Sequence, residues 1–177
     1  GQVVRALDED KLRADLRALH AKGSVQALTI CFINAYLNGE HECRARDIAG
    51  EIFTDTPISI SSEVVPEMQE YERTETTVVN SYVRPEVAKY VRNLQAALED
   101  RMGSNTQLSI LRSDGGLASA RGAGESPVNL LMSGPAGGVS GAIYFCSRAG
   151  FDNILTFDMG GTSTDVALIQ NSRARVR

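Results

Sequence analysis

Ile154-Leu155-Thr156-Phe157-Asp158-Met159-Gly160-Gly161-Thr162-Ser163-Thr164-Asp165-Val166-Ala167-Leu168-Ile169 is the stretch on which the fold turns. Two apolar runs flank a glycine- and hydroxyl-rich turn closed at both ends by aspartate. The pattern predicts a buried strand, a tight turn and a returning strand. Gly160 and Gly161 let the backbone bend sharply and approach a ligand closely. The amides and hydroxyls of Thr162, Ser163 and Thr164 can point at a phosphate. Asp158 and Asp165 can hold the hydrated magnesium ion that travels with a nucleotide, because magnesium prefers a few carboxylate oxygens plus water. A bare Asp-x-Gly-Gly is equally an ordinary hairpin. The hydroxyls and the second aspartate weigh toward a site, since a plain hairpin needs only Asn-Gly or Gly-Gly.

Working upstream, Ser133, Gly134 and Pro135 form a start signal for a helix running to about Ala149, with Gly150 as its stop. Gly134, Gly137, Gly138 and Gly141 fall at mostly three- and four-residue steps and make a bare stripe on that helix. Each interior glycine costs roughly 1 kcal/mol relative to alanine. Such a stripe serves close packing of another backbone, or close approach of a ligand or a moving second domain. Earlier still, Leu108 to Leu111 reads as a short strand leading into Arg112-Ser113-Asp114-Gly115-Gly116-Leu117. That segment is either a tight turn or a second site loop, since ligands gather beyond the carboxyl ends of strands in open α/β sheets. Ser126 and Pro127 resemble an N-cap and first helical residue.

The first sixty residues alternate. Asp8 to Lys22 is an expected amphipathic helix with Leu12, Leu16 and Leu19 on one face and Gly23 at its stop. Val25 to Ile33 reads as a strand covered on both faces, Asn34 to Asn38 as a loop, Glu40 to Phe53 as a second helix and Pro57 to Ser61 as a second strand. Helix, strand, helix, strand favours a layered α/β sheet. Val64 to Gly103 is helical in character, with Glu67, Glu70, Glu72, Arg73 and Glu75 expected on a solvated face. Val79, Tyr82 and Val83 continue an apolar stripe. Pro85 is expected to break or kink the segment, so that a second helix carries Val87, Val91, Leu94 and Leu98.

The 177 residues are 42% hydrophobic, enough for a core. A net charge of -4 and a pI near 5.2 argue against a nucleic-acid surface. No apolar run approaches the roughly 20 residues of a membrane span, and there is no charged-then-apolar leader, so a cytoplasmic protein is expected. Cys31, Cys43 and Cys146 read as free thiols, with Cys31 and Cys146 in the core. His41, Glu42 and Cys43 have no second cluster to complete a zinc site. A strand pair so near the end of the chain suggests part of a larger protein.

Several segments together resemble the hydantoinase A / 5-oxoprolinase family: Ser133 to Val139, Gly150 to Asn153 and Asp158 to Val166, with Cys31 to His41, Ser62 to Pro85 and Ser113 to Leu117. The resemblance covers nearly the whole chain. It implies the actin, sugar-kinase and chaperone ATPase superfamily, in which two ribonuclease-H-like lobes clamp ATP and each lobe opens with a phosphate loop. Residues 1–132 would then be the remainder of the first lobe, 133–150 the helix connecting the lobes, and 151–177 the opening hairpin of the second. Asp158 to Asp165 matches the second phosphate loop, although Thr162 stands where the superfamily often has a third glycine. The first phosphate loop and the adenosine-contacting segment have no counterpart in these residues.

The resemblance further implies ATP-driven opening of cyclic amides, with magnesium held by Asp158 and Asp165. Gly160, Gly161, Thr162, Ser163 and Thr164, together with Gly137 and Gly138, would hold the nucleotide. It implies a second hydantoinase-type subunit as partner, and neither nucleic acid nor membrane. Taken alone, the chain is expected to be inactive. The alternatives are an ATP-dependent ketone carboxylase subunit of the same family and a non-catalytic α/β assembly module. A chaperone- or sugar-kinase-like ATPase is disfavoured by Ser113 to Leu117 and Tyr71 to Arg73.

Overall fold

A computed structural model describes residues 1–174 of the chain. They form two compact units: Gly1–Ala96 with Gly124–Val128, and Ala97–Ala123 with the chain from Asn129 onward.

The first unit is a layered α/β arrangement. Helix α1 (Glu9–Ala21) starts at Asp8, whose carboxylate caps the Lys11 amide, and stops at Gly23, which takes a left-handed φ of 74°. Strand β1 (Leu28–Ile30), helix α2 (Glu40–Ile52) and strand β2 (Ile58–Ile60) follow. The strands pair in parallel, Leu28 with Ile58 and Ile30 with Ile60, as a helical crossover allows. Alternation along the strands divides the unit. Leu28, Ile30 and Ile58 pack against a core of Leu16, Ile48, Ala49 and Phe53 supplied by α1 and α2. Thr29 and Ser59, paired in register, turn toward the opposite layer. There Thr29 donates to the Ser81 hydroxyl at 2.6 Å and Ser59 accepts from Asn80 at 3.2 Å.

That opposite layer is helix α4 (Glu70–Met102), which follows the short helix α3 (Ser61–Val64). Here the structure departs from expectation in three ways. The helix runs 33 residues straight through Pro85. Asn80, Ser81 and Arg84, just before the proline, all bond atoms of β1 or β2, and these contacts offset the lost backbone bond. Its buried face is polar: Arg73, Thr77, Asn80 and Ser81 are buried while Tyr82 is 84% exposed, because the strand face it meets is itself hydroxyl-bearing. Within the charged cluster, Arg73 is enclosed instead of solvated. The expected strand Val25–Ile33 also contracts to three half-buried residues, and Ile33 lies exposed.

A carboxylate organises this unit. Glu42 of α2 is fully buried. It accepts from the Phe32 amide at 2.6 Å, the Ser61 hydroxyl at 2.7 Å and the Ser62 amide at 2.8 Å. The same Ser61 oxygen accepts from Arg73 Nε at 3.0 Å, and Arg73 also reaches the carbonyls of Phe32 and Glu67 and the Glu70 carboxylate. Glu42 and Arg73 thus tie the loops after β1 and β2 to α4. Glu42's oxygens are committed to these donors, and no group of three or more metal-ligating side chains occurs among the described residues.

The second unit contains a hairpin of β3 (Ser109–Leu111) and β4 (Leu117–Ser119), the helix α6 (Ser133–Arg148) and the antiparallel sheet β5 (Ile154–Met159), β6 (Thr164–Gln170) and β7 (Arg173–Ala174). Between β4 and α6 lie the short helix α5 (Ala120–Glu125) and a 3-10 turn, Pro127–Leu130. Helix α6 contains no fully buried residue, and Cys31 and Cys146, expected in the core, are only half-buried.

Candidate functional site

The β5–β6 hairpin forms in the register its sequence predicts: Ile154 opposite Ile169, Thr156 opposite Ala167 and Asp158 opposite Asp165. Because side chains alternate, these six share one face. Ile169 is fully buried at its base. Thr156 bonds across to Ala167, its hydroxyl accepting the Ala167 amide at 3.2 Å. The other face carries Leu155, Phe157, Met159, Val166 and Leu168, each between 49% and 71% exposed, so the buried strand read from β5 is buried on one side only. The far end of the sheet is fastened to α6: Ser172 donates to Asp152 at 2.7 Å and contacts the Ser147 hydroxyl at 2.9 Å.

At the open end, Asp158 and Asp165 form the last facing pair but one before the turn. Directly opposed Cβ atoms in an antiparallel pair lie about 4.5–5.5 Å apart, and like charges there are destabilising. Neither carboxylate has an ion-pair partner among the described residues. A folded hairpin that places two uncompensated carboxylates face to face is arranged for a cation. Two hard oxygen donors with room for water suit magnesium.

The turn itself is closed by the Gly160 amide donating to the Ser163 carbonyl at 2.9 Å. Neither Gly160 nor Gly161 has a left-handed φ. A methyl group on Gly161 would meet nothing within 4 Å, and one on Gly160 would make an ordinary 3.6 Å contact. The glycines are therefore required neither by backbone conformation nor by packing within the chain; they leave the backbone bare for something outside it.

Both aspartates line a hollow of about 460 Å3 between the hairpin and the first three turns of α6. Pro135, Ala136, Gly138, Val139 and Ala142 form the helix wall. Gly138 leaves open space where a side chain would stand, whereas a Cβ on Gly137 would lie 2.8 Å from the Leu111 side chain. Gly138 therefore borders the hollow and Gly137 packs against β3. Gly160, Gly161, Thr162, Ser163 and Thr164 sit at the hairpin tip, outside the lining residues.

The remaining wall comes from the β3–β4 turn. Ser113 lines the hollow. Its amide donates to the Asn129 carbonyl at 2.7 Å, and its Oγ accepts from the Met132 amide, immediately before α6, at 3.0 Å. Asp114 does not share this position: it accepts from the Gly116 amide at 2.9 Å and pairs with Arg112 at 2.8 Å, while Gly115 takes a φ of 83°. The segment is a tight turn and also borders the hollow, so the two readings of Ser113 to Leu117 are compatible. Its place beside Asp158 and Asp165 depends on contacts between segments some fifty residues apart, which no local pattern reveals.

Among the described residues no helix is long and apolar enough to cross a membrane. The α subunit of caprolactamase from Pseudomonas jessenii is 34% identical over 173 residues, 98% of this chain and 25% of that subunit. The crystal structure of the ATP-dependent caprolactamase from that organism superposes with a TM-score of 0.78 at 33% identity, over 95% of this chain and 24% of that one. The 5-oxoprolinase of Saccharomyces cerevisiae is 34% identical over 177 residues, 98% of this chain and 13% of the enzyme. The nucleotide-free structure of acetone carboxylase, described with ATP-dependent acetone carboxylation, matches 96% of this chain and 24% of its own, with a TM-score of 0.80 and 32% identity. The chain thus spans about a quarter of the length of the caprolactamase and acetone carboxylase chains and about an eighth of 5-oxoprolinase. It shares their actin-like ATPase type of α/β fold. The hydantoinase/oxoprolinase family model matches residues 73–177 and its N-terminal-region model residues 1–53, and the chain belongs to the hydantoinase/oxoprolinase family.

Proposed function

We propose that this chain is part of an ATP-dependent enzyme that opens cyclic amides, and that the hollow between α6 and the β5–β6 hairpin receives the metal-bearing phosphates of the nucleotide. The observation that carries the reading is the pairing of Asp158 with Asp165 at the mouth of that hollow, without a compensating cation among the described residues. The relatives named for caprolactamase and 5-oxoprolinase activity support the substrate class. The caprolactamase relative is a subunit, which supports a second subunit as partner.

ATP supplies a phosphoryl group that converts the amide oxygen into a better leaving group. The chain's residues bind and orient. Asp158 and Asp165 hold magnesium or its waters. The bare backbone of Gly160 and Gly161 and the hydroxyls of Thr162, Ser163 and Thr164 hold phosphate oxygens, and Gly138 keeps the helix wall open. Phosphoryl transfer depends mainly on positioning and charge neutralisation, so loss of one carboxylate is costly. In this reading residues 1–132 belong to one lobe, 133–150 connect the lobes and 151–177 begin the second. Productive geometry then needs ligands from the rest of the enzyme, and the 177 residues alone bind magnesium-ATP weakly in a calorimeter and turn none over.

The test is Asp158→Asn in the complete enzyme with its partner subunit. Phosphate release with a cyclic amide is expected to fall at least about 100-fold, the scale of removing one preorganised electrostatic group. Full turnover by the variant would exclude the assignment. Ketone carboxylation is the second reading, favoured by the acetone carboxylase match. Comparing lactam, hydantoin, oxoproline and ketone substrates in that assay separates the two.

A further inference from the structure

We infer that the Ser113 hydroxyl is the hydrogen-bond donor that positions the terminal phosphoryl group in the hollow opposite the aspartate pair. The inference rests on the nucleotide reading of that hollow and assigns a role to a turn which that reading leaves without one.

The two ends of the hollow differ in charge. Asp158 and Asp165 make one end negative. At the other end α6, a helix of 16 residues, begins at Met132 with no side-chain cap, so its first amides present the positive end of the helix dipole. A metal-phosphate chelate has the matching polarity, with the cation toward the carboxylates and the phosphoryl oxygens toward the helix start. Ser113 stands at that second end, since its Oγ accepts from the Met132 amide at 3.0 Å.

A hydroxyl has one proton to donate besides its lone pairs. The bond from Met132 occupies a lone pair, and the proton has no acceptor among the described residues. The side chain is also held in place. The Ser113 amide is bonded to the Asn129 carbonyl at 2.7 Å, and the following turn is closed by Asp114 on the Gly116 amide and by Gly115 on the Arg112 carbonyl at 3.0 Å. A fixed hydroxyl with a free proton, facing a hollow that two carboxylates line, suits an anionic oxygen. Were Ser113 only a cap for α6, nothing would require it to line the hollow.

The test is calorimetry on the complete enzyme with magnesium, comparing ADP with an imido-bridged, non-hydrolysable ATP analogue. A hydrogen bond to a charged group is worth enough that its loss weakens binding tenfold or more. Ser113→Ala is expected to weaken the triphosphate analogue at least about tenfold and to leave ADP within about twofold. Ser113→Cys, of similar size and a poor donor, should follow alanine even if the alanine variant fails to fold, and Ser113→Thr should restore the wild-type difference. Equal losses for both nucleotides, or no loss for either, would overturn the inference by reducing Ser113 to a helix cap. If the wild-type enzyme binds both nucleotides and Asp158→Asn weakens them while Ser113→Ala does not discriminate, this inference alone fails. If the wild-type enzyme binds neither, the proposed function fails and takes this one with it.

Discussion

Replacing Glu42 with glutamine tests whether one buried carboxylate holds the first unit together. Glu42 is fully enclosed, and each of its oxygens is in use: Oε1 accepts from the Phe32 amide and the Ser61 hydroxyl, Oε2 from the Ser62 amide. Glutamine keeps the shape and one carbonyl oxygen, so it can retain the Oε1 pair. Its NH2 group must then face the Ser62 amide, donor against donor. A buried donor left unsatisfied costs about 1–3 kcal/mol, and converting two charge-assisted bonds to neutral ones costs roughly 1 kcal/mol each. The neutral side chain recovers part of this, because a buried charge carries a desolvation penalty. The expected net loss is about 2–4 kcal/mol. For a chain of this size that corresponds to a melting temperature lower by about 4–16 °C. Urea unfolding followed by circular dichroism gives the free energy, and hydrogen exchange at the Phe32 and Ser62 amides locates it. A loss below about 0.5 kcal/mol, with exchange at those amides unchanged, would refute the reasoning.

Other consequences follow from the same contacts. Glu9 is held by Arg44, and next by Arg13, with its carboxyl lowered from 4.5 to about 2. A lowered folded-state value contributes stability that is complete above the ordinary value and fades as pH falls toward 2. Glu9→Gln should therefore differ from wild type in urea midpoint at pH 7 and converge with it between pH 5 and 2, with a smaller gap in high salt, where surface pairs are screened. Gly138→Ala adds a methyl group to open space. It should stabilise α6 by up to about 1 kcal/mol on helix propensity while lowering ATP turnover, because the methyl group enters the hollow. Asp158→Asn should raise the stability of the second unit by a few tenths of a kcal/mol by relieving the facing charges. That gain, read in a thermal melt, should accompany the loss of turnover.

Much of the molecule is legible in the sequence because periodicity carries it. Leu12 and Leu16 mark the buried face of α1, Ile48 and Ile52 that of α2, and the alternation from Ile154 to Ile169 sets both hairpin arms and the register that opposes Asp158 to Asp165. Gly23 and Gly150 mark helix ends because both take left-handed φ values, 74° and 85°. What stays hidden is the polar layer. Arg73, Thr77, Asn80 and Ser81 look like a solvated face by composition. They are buried because Thr29 and Ser59 on the strands offer matching hydroxyls, and Glu42 offers a carboxylate close to Arg73 in space and 31 positions away in sequence. The same long-range contacts carry α4 through Pro85, against its local preference. At the candidate site the aspartates and glycines announce themselves, while Ser113 joins them only through tertiary contact. Gly137 and Gly138 are neighbours with the same letter, and only the packing of Leu111 separates their roles.

The central claim is that the Asp158–Asp165 end of the hairpin grips a metal-chelated polyphosphate. The most direct measurement is a crystal structure of the complete enzyme soaked with manganese, in place of magnesium, and a non-hydrolysable ATP analogue. The account predicts an anomalous manganese peak bound to Asp158 or Asp165 directly or through one water, with phosphate oxygens against the Gly160–Thr164 backbone. A manganese-nucleotide complex seated away from this hairpin would contradict it.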